Sequence, residues 1–293
     1  MRKCPSLWRW LTAVLVVMAY APTASPQTPA PIRIMLLGDS ITYGTGSTGI
    51  VGYRRPLYQL LIETGYHVDF IGSQTSGSPA DFDRNHEGHS GWRADQIRDN
   101  ITAWLNSTPA DVILLHIGTN DISQGQNPSS TRNEIGQILD LIDTWEATHN
   151  PVWVALARII NRNDWRSGTT TTLNGLIQGL ADTRIAAGDR IVVVDMENAL
   201  SYPGDLADTV HPNDSGYGKM AAAWFAEIVT LPPLLPNSDD EGDADVDGYD
   251  LSVFITAFGS AAGDLNYDAR RDLDSNGIVS EDDLALFAQA FGD

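Results

Sequence analysis

Nearly unbroken apolar runs alternate along this chain with segments whose apolar residues recur every three or four positions. Residues 32–37 (IRIMLL), 68–71 (VDFI), 111–117 (DVILLHI), 152–157 (VWVALA) and 191–195 (IVVVD) are such runs, and each predicts a buried strand. Residues 54–63, 94–105, 131–145, 172–186 and 215–229 predict helices. In 94–105, Ile97, Ile101, Trp104 and Leu105 fall on one face; in 131–145, Ile135, Ile138, Leu139 and Ile142 do. Apolar strands separated by helices specify an α/β fold with a five-stranded parallel sheet covered on both faces. Such sheets take ligands beyond the carboxyl ends of their strands. The chemistry is therefore sought in the residues that follow each strand.

Outside this alternating region the pattern changes twice. Residues 231–238 (LPPLLPNS) hold three prolines and read as a stiff linker between a domain at 32–230 and a second module at 239–293. At the other end, Arg2 and Lys3 precede an apolar run over 11–21 and then small residues. That order predicts a signal peptide over 1–27 and a secreted protein, the run being too short to span a membrane. Cys4 is the only cysteine and lies in the signal, so the mature chain has no disulfide and relies on its core or on metal.

The 293 residues carry a formal charge of −20, with 42% hydrophobic and 19% charged residues. That charge argues against nucleic acid as a partner, since few cations are present to displace counterions from phosphates. It equally disfavours an anionic membrane surface. Residues 239–293 concentrate it, with 15 acids against 2 bases.

Three strand ends carry chemistry. Gly38-Asp39-Ser40 follows the first strand, Gly118-Thr119-Asn120-Asp121 the third, and Asp208-Thr209-Val210-His211 comes after the fifth and a loop. Together they supply a hydroxyl, an amide, a carboxylate and an imidazole. A serine hydroxyl becomes a useful nucleophile when a neighbouring base takes its proton. His211 is that base, and Asp208, three residues earlier, can orient its ring. Donors for the developing oxyanion come from the Asn120 amide, the Ser40 N–H and a glycine N–H.

These blocks resemble the GDSL-type, or SGNH, hydrolases over residues 32–229, with Ile41 where the name-giving leucine stands. His89-Ser90-Gly91-Trp92 supplies the family's glycine block. The resemblance implies Ser40 as nucleophile, His211 as base, Asp208 as its orienting acid, and Ser40, Gly91 and Asn120 as the oxyanion hole. Glu87-Gly88-His89-Ser90-Gly91-Trp92 and His211-Pro212-Asn213-Asp214-Ser215-Gly216-Tyr217 resemble carbohydrate esterase family 3 more narrowly. That likeness implies a flavodoxin-like three-layer α/β/α fold and removal of O-acetyl groups from xylan.

Other motifs are weaker. Residues 44–49 (GTGSTG) match a dinucleotide fingerprint, but the strand ends at Leu37, well before Gly44, and a mobile loop over the site is expected instead. His86, Glu87 and His89 lack zinc spacing. His116 reads as a core residue, Trp92 as packing, and Asp39 and Asp121 as loop braces. Trp165 and Tyr43 stay unassigned.

The acidic module repeats itself. Asp272, Asp274, Asn276, Ile278 (through its carbonyl) and Asp283 take positions one, three, five, seven and twelve of a calcium loop, with Gly277 at the turn. Thirty-three residues earlier, Asp239, Glu241, Asp243, Asp245 and Asp250 repeat that register. Leu251, Phe254 and Phe258 match Leu284, Phe287 and Phe291 after each loop. Paired loops of this kind, each with one helix, resemble type I dockerin modules, which implies structural Ca²⁺ and a cohesin-type scaffold partner. Catalysis itself calls for no cofactor. The expectation is thus a secreted acetylxylan esterase with an attachment module. The alternatives are an SGNH esterase on pectic acetate or lipid, and a non-catalytic calcium-dependent scaffold or adhesion component.

Overall fold

The computed structural model describes residues 30–231, 248–268, 271–274 and 276–290. The expected signal peptide, almost all of the linker, and Asp239, Glu241, Asp243 and Asp245 of the first calcium loop lie outside the described residues.

Seven strands form among the described residues: β1 (Ile32–Gly38), β2 (Val68–Ile71), β3 (Gln74–Thr75), β4 (Asn85–Gly88), β5 (Val112–His116), β6 (Trp153–Arg158) and β7 (Ile191–Asp195). β1 pairs in parallel with β2 on one edge and with β5 on the other, and β6 and β7 continue the sheet. These are the five parallel strands expected from the apolar runs. The sheet also contains two strands the apolar pattern did not mark. β4 runs parallel to the last residues of β1, pairing Leu37 with Glu87 and Gly38 with Gly88, and β3 is antiparallel to β4. β4 reads Asn-His-Glu-Gly, so no hydrophobic signal announces it.

Side chains of β1 point alternately to the two faces, as strand geometry requires. Met35 and Leu37 join one apolar cluster; Ile34 and Leu36 join the other. The first cluster is closed by α3 (Ala94–Arg98), α4 (Ile101–Ser107), α6 (Pro128–Glu146) and α7 (Ser167–Ala187). The second is closed by α2 (Arg54–Glu63) and α9 (Asp214–Ile228), with Leu57, Leu61, Met220 and Trp224 fully buried. Short helices sit at the strand ends: α1 (Ser40–Tyr43), α5 (Thr119–Ser123) and α8 (Met196–Ala199).

The expected helix over 94–105 is two helices. The Asn100 amide donates to the Gln96 carbonyl at 2.9 Å, competing with the backbone ladder and breaking it. Ile97, Ile101 and Leu105 keep a common buried face across the break. No helix among the described residues is long and apolar enough to cross a membrane.

In the C-terminal described residues, α10 (Gly248–Ala257) and α11 (Glu281–Ala290) share a small core of Phe254, Ala257, Val279 and Phe287.

Gly38 ends β1 where no side chain fits. A Cβ there would lie 2.3 Å from the His116 carbonyl oxygen of β5 and 2.5 Å from Thr42 Oγ1. Gly38→Ala is expected to cost about 3 kcal/mol in urea unfolding, because the sheet or α1 must shift to admit the methyl.

Candidate active site

The turn after β1 is built to present one hydroxyl. Asp39 caps α1, its Oδ1 accepting from the Ile41 N–H at 2.9 Å, so Ser40 sits in the first turn. Ser40 Oγ lies 2.9 Å from His211 Nε2, across 171 positions of sequence. His211 Nδ1 lies 2.8 Å from Asp208 Oδ2. The other Asp208 oxygen accepts the Val210 and His211 N–H groups, both at 2.8 Å. The Ala207 N–H donates to the His211 carbonyl at 2.9 Å and closes this turn. Asn213 then caps α9 by accepting the Gly216 N–H at 3.0 Å.

The electrostatics favour an ionised Asp208. Burial pushes its carboxyl up, but the Val210 N–H, the His211 ring and the His211 N–H outweigh that and hold it below the ordinary range. An ionised carboxylate on Nδ1 keeps a proton there and leaves Nε2 free to accept from Ser40.

The expected oxyanion donors come from segments tied to the turn that holds Ser40. The Ser40 and Gly91 N–H groups have no protein acceptor among the described residues. Gly91 has φ +85°, and a Cβ there would meet nothing within 4 Å, so the turn needs glycine for its backbone and not for space. Asn120 Nδ2 donates to the Trp92 carbonyl at 2.9 Å and lies 3.4 Å from Asp39 Oδ2. The first contact holds the amide in place; the second is long enough to leave one N–H for a substrate oxygen.

Residues 36–219 match the GDSL-like Lipase/Acylhydrolase family. The chain belongs to that family of carboxylic ester hydrolases. The multidomain esterase of Ruminococcus flavefaciens is 28% identical over 298 residues, covering 86% of this chain and 38% of that protein. The chain thus spans well under two thirds of this curated relative. A family 3 carbohydrate esterase from Clostridium thermocellum is 33% identical, with a TM-score of 0.61 over 69% of this chain and 96% of that one. A mutant acetyl esterase solved with an acetate ion is 29% identical, with a TM-score of 0.58 over 68% of this chain and 97% of that one.

Several parts of this GDSL hydrolase escaped the sequence reading. Glu87, fully buried in β4, accepts from the Ser73 N–H at 2.6 Å and lies 2.5 Å from His89 Nε2. The His89 ring stacks on Trp92 at 4.1 Å and on Trp104 at 5.0 Å. The Trp92 carbonyl in turn accepts from the Asn120 amide, so the Glu87–His89 pair braces the segment that holds Asn120. Trp92 packs here, as expected. Only the two-residue spacing of Glu87 in a polar strand and His89 just beyond its end hinted at the pair.

The loop at 44–52 departs from expectation, being tied down and packed behind His211. A Cβ on Gly46 would lie 2.5 Å from the Pro212 carbonyl oxygen and 3.0 Å from His211 Cβ. Thr48 donates through its N–H and its hydroxyl to Asp214, both at 2.7 Å. Arg54, fully buried, donates to the carbonyls of Tyr43 at 2.9 Å and Ile50 at 2.7 Å. No apolar pattern reveals a buried arginine that serves carbonyls.

In the C-terminal segment, carboxylate oxygens of Asp272, Asp274 and Asp283 lie within 4.8 Å of one another. Asn276 Nδ2 donates to Asp274 Oδ2 at 2.7 Å. Ile278 is half exposed, and Asp250 of the first loop is fully buried. The donor set, hard oxygens on a glycine turn with two carboxylates buried, fits a calcium ion.

Two buried acids brace the hydrolase site, as expected of Asp39 and Asp121. Burial pushes Asp39 up to about 7, against the pull of the Ile41 N–H. Burial likewise pushes Asp121 up to about 6, opposed by the Ala94 N–H. An unfolded aspartate releases its proton near about 3.9. Above that, folded Asp39 holds a proton the unfolded chain has lost, so its stabilisation fades as pH rises through about 7. His86 and His116, pushed down to about 3 and about 4 chiefly by burial, act in the opposite sense at lower pH. Both histidines remain in Asp39→Asn, so the comparison isolates Asp39. The drop in melting temperature between about pH 5 and about pH 8 is expected to be at least about 3 °C smaller in that variant.

Proposed function

We propose that residues 32–230 form a secreted serine esterase that removes O-acetyl groups from plant cell-wall polysaccharide, above all from acetylated xylan. The observation that carries the mechanism is the continuous hydrogen-bonded relay from Ser40 through His211 to Asp208. Ser40 Oγ attacks the acetyl carbonyl while its proton passes to His211 Nε2. The Ser40 and Gly91 N–H groups and the Asn120 amide stabilise the oxyanion. His211 then gives the proton to the departing sugar hydroxyl, leaving an acetyl-serine. A water molecule, deprotonated by His211, attacks that ester, and acetate leaves as Ser40 regains its proton.

The substrate reading draws on the names of the structural neighbours, a family 3 carbohydrate esterase and an acetyl esterase solved with acetate. Secretion draws on the charge and apolar pattern of residues 1–27.

For residues 239–293, beyond the linker at 231–238, the reading is a dockerin-like attachment module for a cohesin-type scaffold. Structural Ca²⁺ would be held at the second loop by Asp272, Asp274, Asn276, the Ile278 carbonyl and Asp283, and at the first by Asp239, Glu241, Asp243, Asp245 and Asp250. Support comes from the duplicated register and from the three converging carboxylates.

Acetate release from acetylated xylan and from acetylated pectin tests the enzyme. Wild type is expected to prefer xylan, and Ser40→Ala to lose at least about a thousandfold in rate. Release from pectin alone would overturn the substrate. Calcium chelation of the full chain is expected to leave acetate release within about twofold while lowering the melting of the small module. A chelation-sensitive esterase rate would contradict the separation of the two roles.

A further inference from the structure

We propose that Trp165 is a sugar-stacking platform that seats the polysaccharide chain beside the acetyl group being removed. The proposal rests on the esterase reading for the identity of the sugar, xylose, and on the geometry of residues 159–166 for the platform itself.

Trp165 is 80% exposed, whereas no other exposed large apolar side chain in residues 30–231 exceeds 44%. A lone exposed apolar residue needs no explanation in general. Here the segment that displays it is held throughout. It leaves the carboxyl end of β6, at the rim where the site lies. The Ile159 N–H donates to Asn174 Oδ1 at 2.8 Å, Ile160 to His116 Nε2 at 3.2 Å, and Asn161 to the Tyr202 hydroxyl at 2.7 Å. Arg162, nearly buried, clasps Asp164 through two nitrogens at 2.8 and 2.9 Å.

The segment also joins both halves of the site. The Asn163 N–H donates at 2.9 Å to the carbonyl of Thr209, which stands between Asp208 and His211. Arg162 Nη1 donates at 3.0 Å to the hydroxyl of Ser123, in the short helix that carries Asn120. The strap therefore runs from the oxyanion element to the triad turn, and Trp165 stands out from it. The Arg166 guanidinium covers one face of the indole at 4.2 Å, fixing its orientation and leaving the other face for a ligand.

The chemistry of the free face selects the class of ligand. An indole offers a large apolar surface with little side-chain entropy to lose on binding. A β-linked xylose chain has its hydroxyls equatorial and presents C–H groups on both ring faces, which match that surface. A small aryl ester has no second sugar to place there.

The experiment compares wild type, Trp165→Ala and Trp165→Phe as full chains, on acetylated xylan and on 4-nitrophenyl acetate. Retardation in native gels containing deacetylated xylan supplies a readout independent of turnover. The ratio of kcat/KM on xylan to kcat/KM on the small ester is expected to fall about tenfold in Trp165→Ala, mainly through KM, with partial recovery in Trp165→Phe. Xylan retardation is expected to be lost in the alanine variant. A ratio within twofold of wild type together with undiminished retardation would overturn the platform and leave the esterase reading intact. If wild type released no acetate from any polysaccharide yet was retarded by xylan through Trp165, the esterase reading would fall and the platform would stand. Wild type that is not retarded, with an unchanged ratio in the variants, also overturns the platform.

Discussion

Strand β1 has partners on both edges and apolar cores on both faces, so its carboxyl end is held more firmly than any loop. The approach of Gly38 to the His116 carbonyl shows how little room that end has. Ser40 follows after one residue, before the chain can wander. The proposed nucleophile therefore needs few contacts of its own. Its partners are brought to it by longer routes: His211 by the turn before α9, Asn120 by α5, and Gly91 by the extension of β4 beyond the same strand end. The His89 N–H donates to the Gly38 carbonyl at 2.9 Å, so the oxyanion turn starts from the backbone that positions the serine.

Placement settles charge as well as geometry. Asp208 is 54% exposed in its side chain and receives donors from its own turn, so it stays ionised beside an imidazole. Asp39 and Asp121 lie a few residues from catalytic groups yet are fully buried, and burial pushes both toward the neutral acid. Asp39 Oδ2, 3.4 Å from the Asn120 amide, pulls on it only weakly, which suits a donor that must turn to a substrate oxygen. Three aspartates in one site thus release their protons at different pH, according to how much water and how many donors each meets.

The legible parts of the sequence were those with a strong period or a compact motif. The five parallel strands stand where apolar runs marked them, because strands buried on both faces cannot alternate. The serine and asparagine blocks fall at strand ends and the histidine block in the turn before α9, and Ser40 and His211 meet at 2.9 Å. What was not legible depends on contacts between distant polar residues. β4 is a strand because β1 offers a free edge beyond the end of β2, not because of its own composition. The split between α3 and α4 depends on one side chain taking one carbonyl. The loop at 44–52 is glycine-rich and reads as mobile, yet Arg54 and Asp214 hold it from outside its own sequence. The strap at 159–166 has no period at all, and its order comes from partners in several other segments, among them β5, α5, α7, α8 and the turn before His211.

The same carboxylate chemistry is used in two ways along this chain. Asp208 meets its electrostatic needs inside one turn: two N–H groups and one imidazole surround it, and no cation is required. Asp272, Asp274 and Asp283 also draw donors from their own loop, including the Tyr267 hydroxyl at 2.6 Å and the Gly277 N–H at 2.7 Å on Asp272. Oxygens of three different carboxylates nevertheless converge within 4.8 Å. Hydrogen bonds of that kind orient each group and do not cancel the repulsion between them, which grows as the surroundings lose water. Only positive charge placed among the oxygens does so. Under the proposed reading the two arrangements take different partners, a proton-carrying ring in one case and a hard cation in the other. This is the physical reason for the proposed separation, in which removing the cation leaves the ester chemistry in place.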